Sequence, residues 1–523
     1  MICRLAGFIL DAGFHRRSCV SCHCVSKQLP ASSPCSKRWE ATFAGFAGGF
    51  LALTLLKFVN PVILDQRVAP PWNLAGALTD PWPVGWGYVL VALLAAAGVA
   101  ICRLPGPRTA SCGAGGNDIT STIPTLASAP KWVLWLPAVW LGWQFVAATQ
   151  TVDAGLTAIV LKHFVAATAC FYVGHFALGR IQRLGPVWVA LLAAFVIMLA
   201  IGFRQHYGGL EQTRNFVEAN EKTGWRDLSP EQRMDLVRQG VLIETSDGYT
   251  AQPELLKRLQ KSRVFGTFAG YPNALAGAIL LLFPALAVSA WRLTRGLPHT
   301  LRGVGLGLLS YMSLACLYWS GSKAGWLIGL ALGLVAMLRL PLGRTLTYGL
   351  VAGVLLTGLA GFAVRYAGYF QKGATSVSAR MHYWQAALET ARDHPVLGSG
   401  PGTFGPMFKL KKQPEAEMAR LAHNDYLEQA SDSGVIGFLT YFALLVGSVG
   451  LLYRNSSIRS DWLPFSVWLG LAGWALQGFV EFSLYIPALA WLAFMFLGWL
   501  WSVPRQEIKS TTAQRLGSLR PIG

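Results

Sequence analysis

GVGLGLLSYMSLACLYWSGSKAGWLIGLALGLVAMLR, residues 303–339, decides the fold. Its two apolar runs, 303–320 and 324–339, are separated only by Gly321-Ser322-Lys323-Ala324. As helices rising about 1.5 Å per residue, runs of this kind match a hydrocarbon layer of roughly 30 Å. So short a polar break predicts a tight helical hairpin. Working outward, ten further apolar runs lie near 41–63, 84–102, 132–148, 157–178, 185–203, 272–291, 346–366, 433–453, 463–480 and 484–502. One such run could be a buried core helix of a soluble protein. A dozen of them describe an all-α integral membrane protein of about 12 transmembrane helices. Composition agrees: only 13% of residues are charged, against roughly 25% in a soluble domain.

The net charge of +19 does not point to nucleic acid, because much of it sits in short connections between apolar runs. With the N-terminus inside, those connections hold Arg103, Arg108, Lys131, Arg180, Arg183, Arg292, Arg295, Arg302, Arg339, Arg344, Arg454 and Arg459. The short outer connections hold little beyond Arg67 and Lys323. This one-sided bias sets both termini in the cytoplasm and provides contacts for anionic membrane lipids. The expected organisation is a cytoplasmic Cys-rich tail (1–40), N-terminal helices (41–203) and extracytoplasmic loop A (204–271). Central helices (272–366), extracytoplasmic loop B (367–432), C-terminal helices (433–502) and a cytoplasmic tail (503–523) follow. Cys19-x-x-Cys22-His23-Cys24 has metal-like spacing but lies in a short Ser-rich stretch, so it reads as flexible tail rather than a zinc site.

Candidate chemistry gathers on the outer side. In loop A, Ser229-Pro230 reads as a helix start with Ser229 as N-cap. In loop B, Arg380–Asp393 reads as a helix with Met381, Trp384, Ala387, Leu388 and Ala391 on one face. It ends in the Gly-rich 398–402. A second helical stretch is expected to begin near Pro414 and pass through His423. His423 can serve as a general base near neutral pH. Arg380 and Lys372 share its loop, and Arg263 stands beside Gly266-Thr267-Phe268 in loop A. Paired arginines suit a diphosphate, since the guanidinium fork takes phosphate oxygens two at a time. Lys323 lies in the outer hairpin turn, and Glu481 at the outer end of the eleventh run, where an acid at membrane depth hints at function. Lys162, His163 and His175 are polar exceptions within the fourth run, as bundle contacts or part of a lipid-carrier groove.

Several of these residues occur in a familiar order. Gly266-Thr267-Phe268 with Pro272-Asn273 comes first, then Ser322-Lys323-Ala324-Gly325-Trp326. Arg380 with Trp384, Pro395, Gly398, Gly400 and Gly402 follows, then His423-Asn424 with Tyr426-Leu427, then Gly434 and Gly437. The stretch 260–440 resembles the O-antigen ligase and polymerase family of bacterial envelope glycosyltransferases. It departs from that pattern at Asp432, where Glu is usual, and at Lys323, where Arg is common.

The resemblance implies a GT-C-like architecture in the bacterial inner membrane. The implied donor is a glycan on undecaprenyl diphosphate, and the implied acceptor is a hydroxyl of lipid A-core or another glycan. His423, Arg380 and Arg263 become the catalytic candidates. Lys323, Ser322, Asn424, Lys372 and Asn273 become substrate-binding candidates. Neither a metal nor a cofactor is expected. A polymerase of the same family, a protein-glycosylating relative, a solute transporter and a non-catalytic scaffold are the competing readings.

Overall fold

The computed structural model describes residues 34–103, 130–238, 241–246, 248–371, 375–414 and 416–504. The Cys19–Cys24 cluster and Lys372 lie outside the described residues. Each expected apolar run falls on a helix. Among the described residues, nine helices are long and apolar enough to cross a membrane. The remaining three runs are shorter apolar helices, Lys323–Met337, Trp462–Gln477 and Pro487–Ser502. The chain is therefore a multi-pass membrane protein.

Pro487–Ser502 is buried along nearly its whole length and forms the central pillar. It packs against Ala154–Tyr172 and the π-helical turn Val173–Ala177. A Cβ on Gly498 would fall 2.0 Å from the Phe171 carbonyl, and one on Gly174 would fall 2.0 Å from that of Met495. Only glycine allows this contact, and lipid-embedded helices depend on such close packing because no hydrophobic drive separates them from lipid. Arg344–Gln371 is the opposite case. It packs against Lys323–Met337 and leaves most of its apolar side chains exposed for lipid.

Loop A departs from the all-α expectation. The helix Gly185–Arg204 continues through a kink at Gln205–Gly209 into Leu210–Lys222. Ser229 caps the helix Pro230–Arg238 as expected, its Oγ accepting from Gln232 N while Gln232 Oε1 accepts from Ser229 N. A two-stranded antiparallel hairpin then pairs Leu242–Thr245 with Gly248–Ala251, Leu242 opposite Ala251. Glu221 holds this hairpin to the helix Leu210–Lys222 by accepting from Ala251 N at 2.9 Å.

Loop B forms a helix over Thr375–Asp393, but its buried face differs from the expected one. Tyr383, Ala386, Ala387 and Thr390 are buried, whereas Met381 and Leu388 are exposed. The buried face packs on Phe404 and Phe408, and a helix at Phe404–Lys411 had no counterpart in the sequence reading. The helix expected from Pro414 through His423 does not form. The chain there is irregular, and the next helix starts at Asp425 with Asn424 as its cap.

Candidate active site

His423 stands immediately before that helix with φ +52°. A left-handed backbone is uncommon outside glycine and must be enforced by its surroundings. On one side the Ala422 N–H donates to Glu428 Oε2 at 2.9 Å. On the other, Asn424 Oδ1 accepts from Tyr426 N at 3.1 Å and Leu427 N at 3.0 Å. Two neighbours therefore fix the one residue between them. The ring lies near-parallel to Tyr383, 5.9 Å between centroids, and edge-on to Phe482 at 4.7 Å.

The Gly-rich stretch 398–402 braces the same helix. Gly434 interrupts it at φ +70°, and a Cβ there would lie 2.0 Å from the Val396 carbonyl. The Ser399 and Gly400 N–H groups donate to the Ser431 and Asp432 carbonyls at 3.0 and 2.9 Å. Asp432 Oδ2 accepts from Gly402 N at 2.7 Å. The shorter carboxylate at this departure from the family pattern thus holds a loop, and it is fully buried there.

Glu481 gathers the site. Its Oε1 accepts from Arg380 and, at 2.6 Å, from Asn273 Nδ2. Its Oε2 faces His423 Nδ1 at 3.2 Å. Three segments far apart in sequence thereby meet on one buried carboxylate, itself 5% exposed. Burial pushes its pKa up, but Arg380 and then His423 outweigh burial and hold it below the ordinary carboxylate range. A cavity of about 230 Å³ opens here, lined by Tyr271, Asn273, His423, Glu481, Phe482 and Ile486.

A second group of cations adjoins it. Arg263 runs beneath Gly321, its Nε 3.2 Å from where a Cβ would sit. Burial lowers its pKa most, and Arg365 and Arg380 lower it further against Tyr366 and Tyr369. Lys323 lies within the fields of Arg263, Arg380, Arg365 and Lys261. Its Nζ sits 3.7 Å from the Tyr369 ring centroid, a cation–π contact. Arg263, Lys323 and Arg365 have no carboxylate partner among the described residues.

The sequence-selected residues divide into two kinds. His423, Arg380 and Asn273 meet on Glu481, and Arg263 and Lys323 share the adjoining cation group. Ser322 and Asn424 instead spend their side chains as helix caps, Ser322 Oγ accepting from Gly325 N at 3.2 Å. Sequence reading left Arg365 and Tyr369 out of the cation group, although the pair Arg365-Tyr366 ends a long apolar run. It also missed Gln205, whose Oε1 accepts from Phe265 N and Gly266 N at 3.0 and 2.9 Å while its Nε2 donates to Gly266 O at 2.8 Å. Gln205 so fixes the turn after Arg263.

Fold and site define a multi-pass membrane protein with a buried His–Glu–Arg cluster beside cations that lack carboxylate partners among the described residues, at the end of the helical bundle. Residues 308–442 match the family described as O-Antigen ligase. That match spans loop B and the helices on either side of it, the part of the chain that carries Arg380 and His423. An uncharacterized protein of Haemophilus influenzae is 25% identical over 181 residues. That likeness covers 30% of this chain and 44% of the relative, so this chain spans less than half the length of the protein it matches.

Proposed function

We propose that this protein is an O-antigen ligase-like glycosyltransferase with GT-C-like architecture at the outer face of a bacterial inner membrane. It moves a glycan from undecaprenyl diphosphate to an acceptor hydroxyl, such as one on lipid A-core. The observation that carries this reading is the convergence of His423, Arg380 and Asn273 on Glu481, beside cations that lack carboxylate partners among the described residues.

The labour of the proposed reaction divides among these residues. In the neutral ring, Nδ1–H donates to Glu481, which leaves the Nε2 lone pair free. An acceptor hydroxyl attacks the anomeric carbon, its proton passes to His423 Nε2, and the bond from that carbon to the diphosphate oxygen breaks. Glu481 stabilises the imidazolium that forms. Arg380 and Arg263, with Lys323 at their side, take the charge that develops on the departing diphosphate. Such placed charges are often the largest contribution to catalysis. Asn273 holds Glu481 in place.

Deletion of the gene, followed by electrophoresis of surface polysaccharide, tests the reaction. Loss of long-chain glycan on lipid A-core, with carrier-linked polymer retained, is the expected result. Single-repeat material would instead assign polymerisation, and unchanged glycan with a solute uptake defect would assign transport.

A further inference from the structure

Glu481 lies on the connection between two membrane helices, Trp462–Gln477 and Pro487–Ser502, just before a 3-10 turn at Ser483–Tyr485. Its own backbone bonds are short-range, Glu481 N donating to the Gln477 carbonyl at 2.9 Å, and contacts from elsewhere in the chain secure it at both ends. The Asp425 N–H donates to the Gly478 carbonyl at 2.7 Å. Asp425 Oδ2 accepts from Leu484 N at 3.1 Å. One residue thus spans the segment, with Glu481 between its two attachment points.

The Leu484 carbonyl, in the next peptide group, is taken by His163, whose Nε2 donates to it at 2.7 Å. The remaining ring nitrogen, Nδ1, accepts the Trp491 indole N–H at 3.2 Å. An indole only donates, so Nδ1 carries the lone pair and Nε2 the proton. His163 is fully buried, and neither it nor Asp425 lines the cavity. Both keep the company of the site without facing it.

We propose that Asp425 and His163 are positioning residues that clamp Leu484 through its N–H and its carbonyl and so set the placement of Glu481 against His423 Nδ1. This inference rests on the reading of Glu481 and His423 given above. Displacement of a catalytic group by about 1 Å can cost on the order of 100-fold in rate, so the clamp acts on turnover rather than on donor binding.

The test uses the full-length purified protein in liposomes with a polyprenyl-diphosphate-linked glycan and a lipid A-core acceptor. Asp425→Asn keeps an acceptor for Leu484 N, and His163→Gln keeps a donor for its carbonyl. Asp425→Leu and His163→Phe keep neither. The two apolar variants are expected to lower kcat by roughly 10–100-fold with donor KM unchanged, and the two polar variants to recover most of it. In a Glu481→Gln background, Asp425→Leu should cost less than about threefold, because the group it positions is already impaired.

Fully additive losses in that background, or an effect confined to KM, would overturn the proposal. So would an Asp425→Asn variant as slow as Asp425→Leu. Should Asp425→Leu not yield folded protein, Asp425→Ser is judged by the same criteria. Undiminished transfer by Glu481→Gln overturns the reading of the site itself. Impaired Glu481→Gln beside unimpaired Asp425→Leu and His163→Phe overturns this inference alone.

Discussion

The two walls of the candidate site differ in what their charges meet. On one wall Glu481 answers Arg380, His423 and Asn273, so a buried anion is fully matched by the protein. On the other, Lys323 and Arg365 lie over tyrosine rings and Arg263 lies within the fields of Arg365 and Arg380, with no carboxylate partner among the described residues. Burying a charge is costly unless a partner compensates it, and Arg263 and Lys323 are half-buried whereas Arg365 is exposed. The first wall is complete as folded. The second is arranged for a ligand that brings negative charge, and a diphosphate is such a ligand.

Substitutions on the two walls should therefore separate stability from activity. Arg380→Ala breaks the matched wall, losing the proposed diphosphate contact and stranding a buried Glu481. We expect transfer to fall by about 100–1000-fold and the melting temperature of the detergent-solubilised protein to drop. Arg263→Ala on the unmatched wall should cost a comparable factor in transfer, about 100-fold, while melting stays the same or rises because like charges are relieved. Equal melting losses for the two variants would erase the distinction. Lys323→Gln, softer because a point charge lacks the guanidinium fork, should raise donor KM by roughly tenfold with a smaller change in kcat.

The smallest expected effect is a pH dependence. Arg380 and His423 hold the Glu481 pKa below its ordinary value of 4.5 despite burial. A depressed carboxylate contributes stability that is fully present above its unfolded pKa and is lost as pH falls through the folded one. The melting-temperature difference between wild type and Glu481→Gln should thus shift against the wild type as pH drops below 4.5. A difference that does not change over that range would show that the pairing contributes nothing to folding.

Much of the fold was legible because hydrocarbon thickness imposes a length on apolar runs, and those runs are local. The hairpin at Ser322-Lys323 and the Ser229 cap are local in the same way. What escaped depends on contacts distant in sequence. Tyr383 rather than Met381 is buried because Phe404 and Phe408 pack there, on a helix the periodicity of loop B did not announce. The stretch before His423 stays irregular because Glu428 captures the Ala422 N–H and Asn424 caps the helix after it. The strands at Leu242–Thr245 and Gly248–Ala251 are too short for alternation to stand out.

The same limit governs the site. His423, Arg380 and Arg263 were visible as residue types suited to the chemistry, and Glu481 as an acid at membrane depth. That Glu481 joins Arg380, His423 and Asn273 was not visible, because no local pattern links position 481 to 273. Ser322 and Asn424 looked like ligands for a substrate by their place in the family motifs. Their position at helix starts, where N–H groups need acceptors, gives them a different use.

The most direct measurement is glycan transfer from polyprenyl diphosphate to lipid A-core by purified wild-type protein and by His423→Ala, in liposomes with donor saturating. The account predicts a loss in kcat of about 100- to 10,000-fold for the variant, with donor still bound by Arg380, Arg263 and Lys323. Undiminished kcat in His423→Ala would contradict the account at its centre.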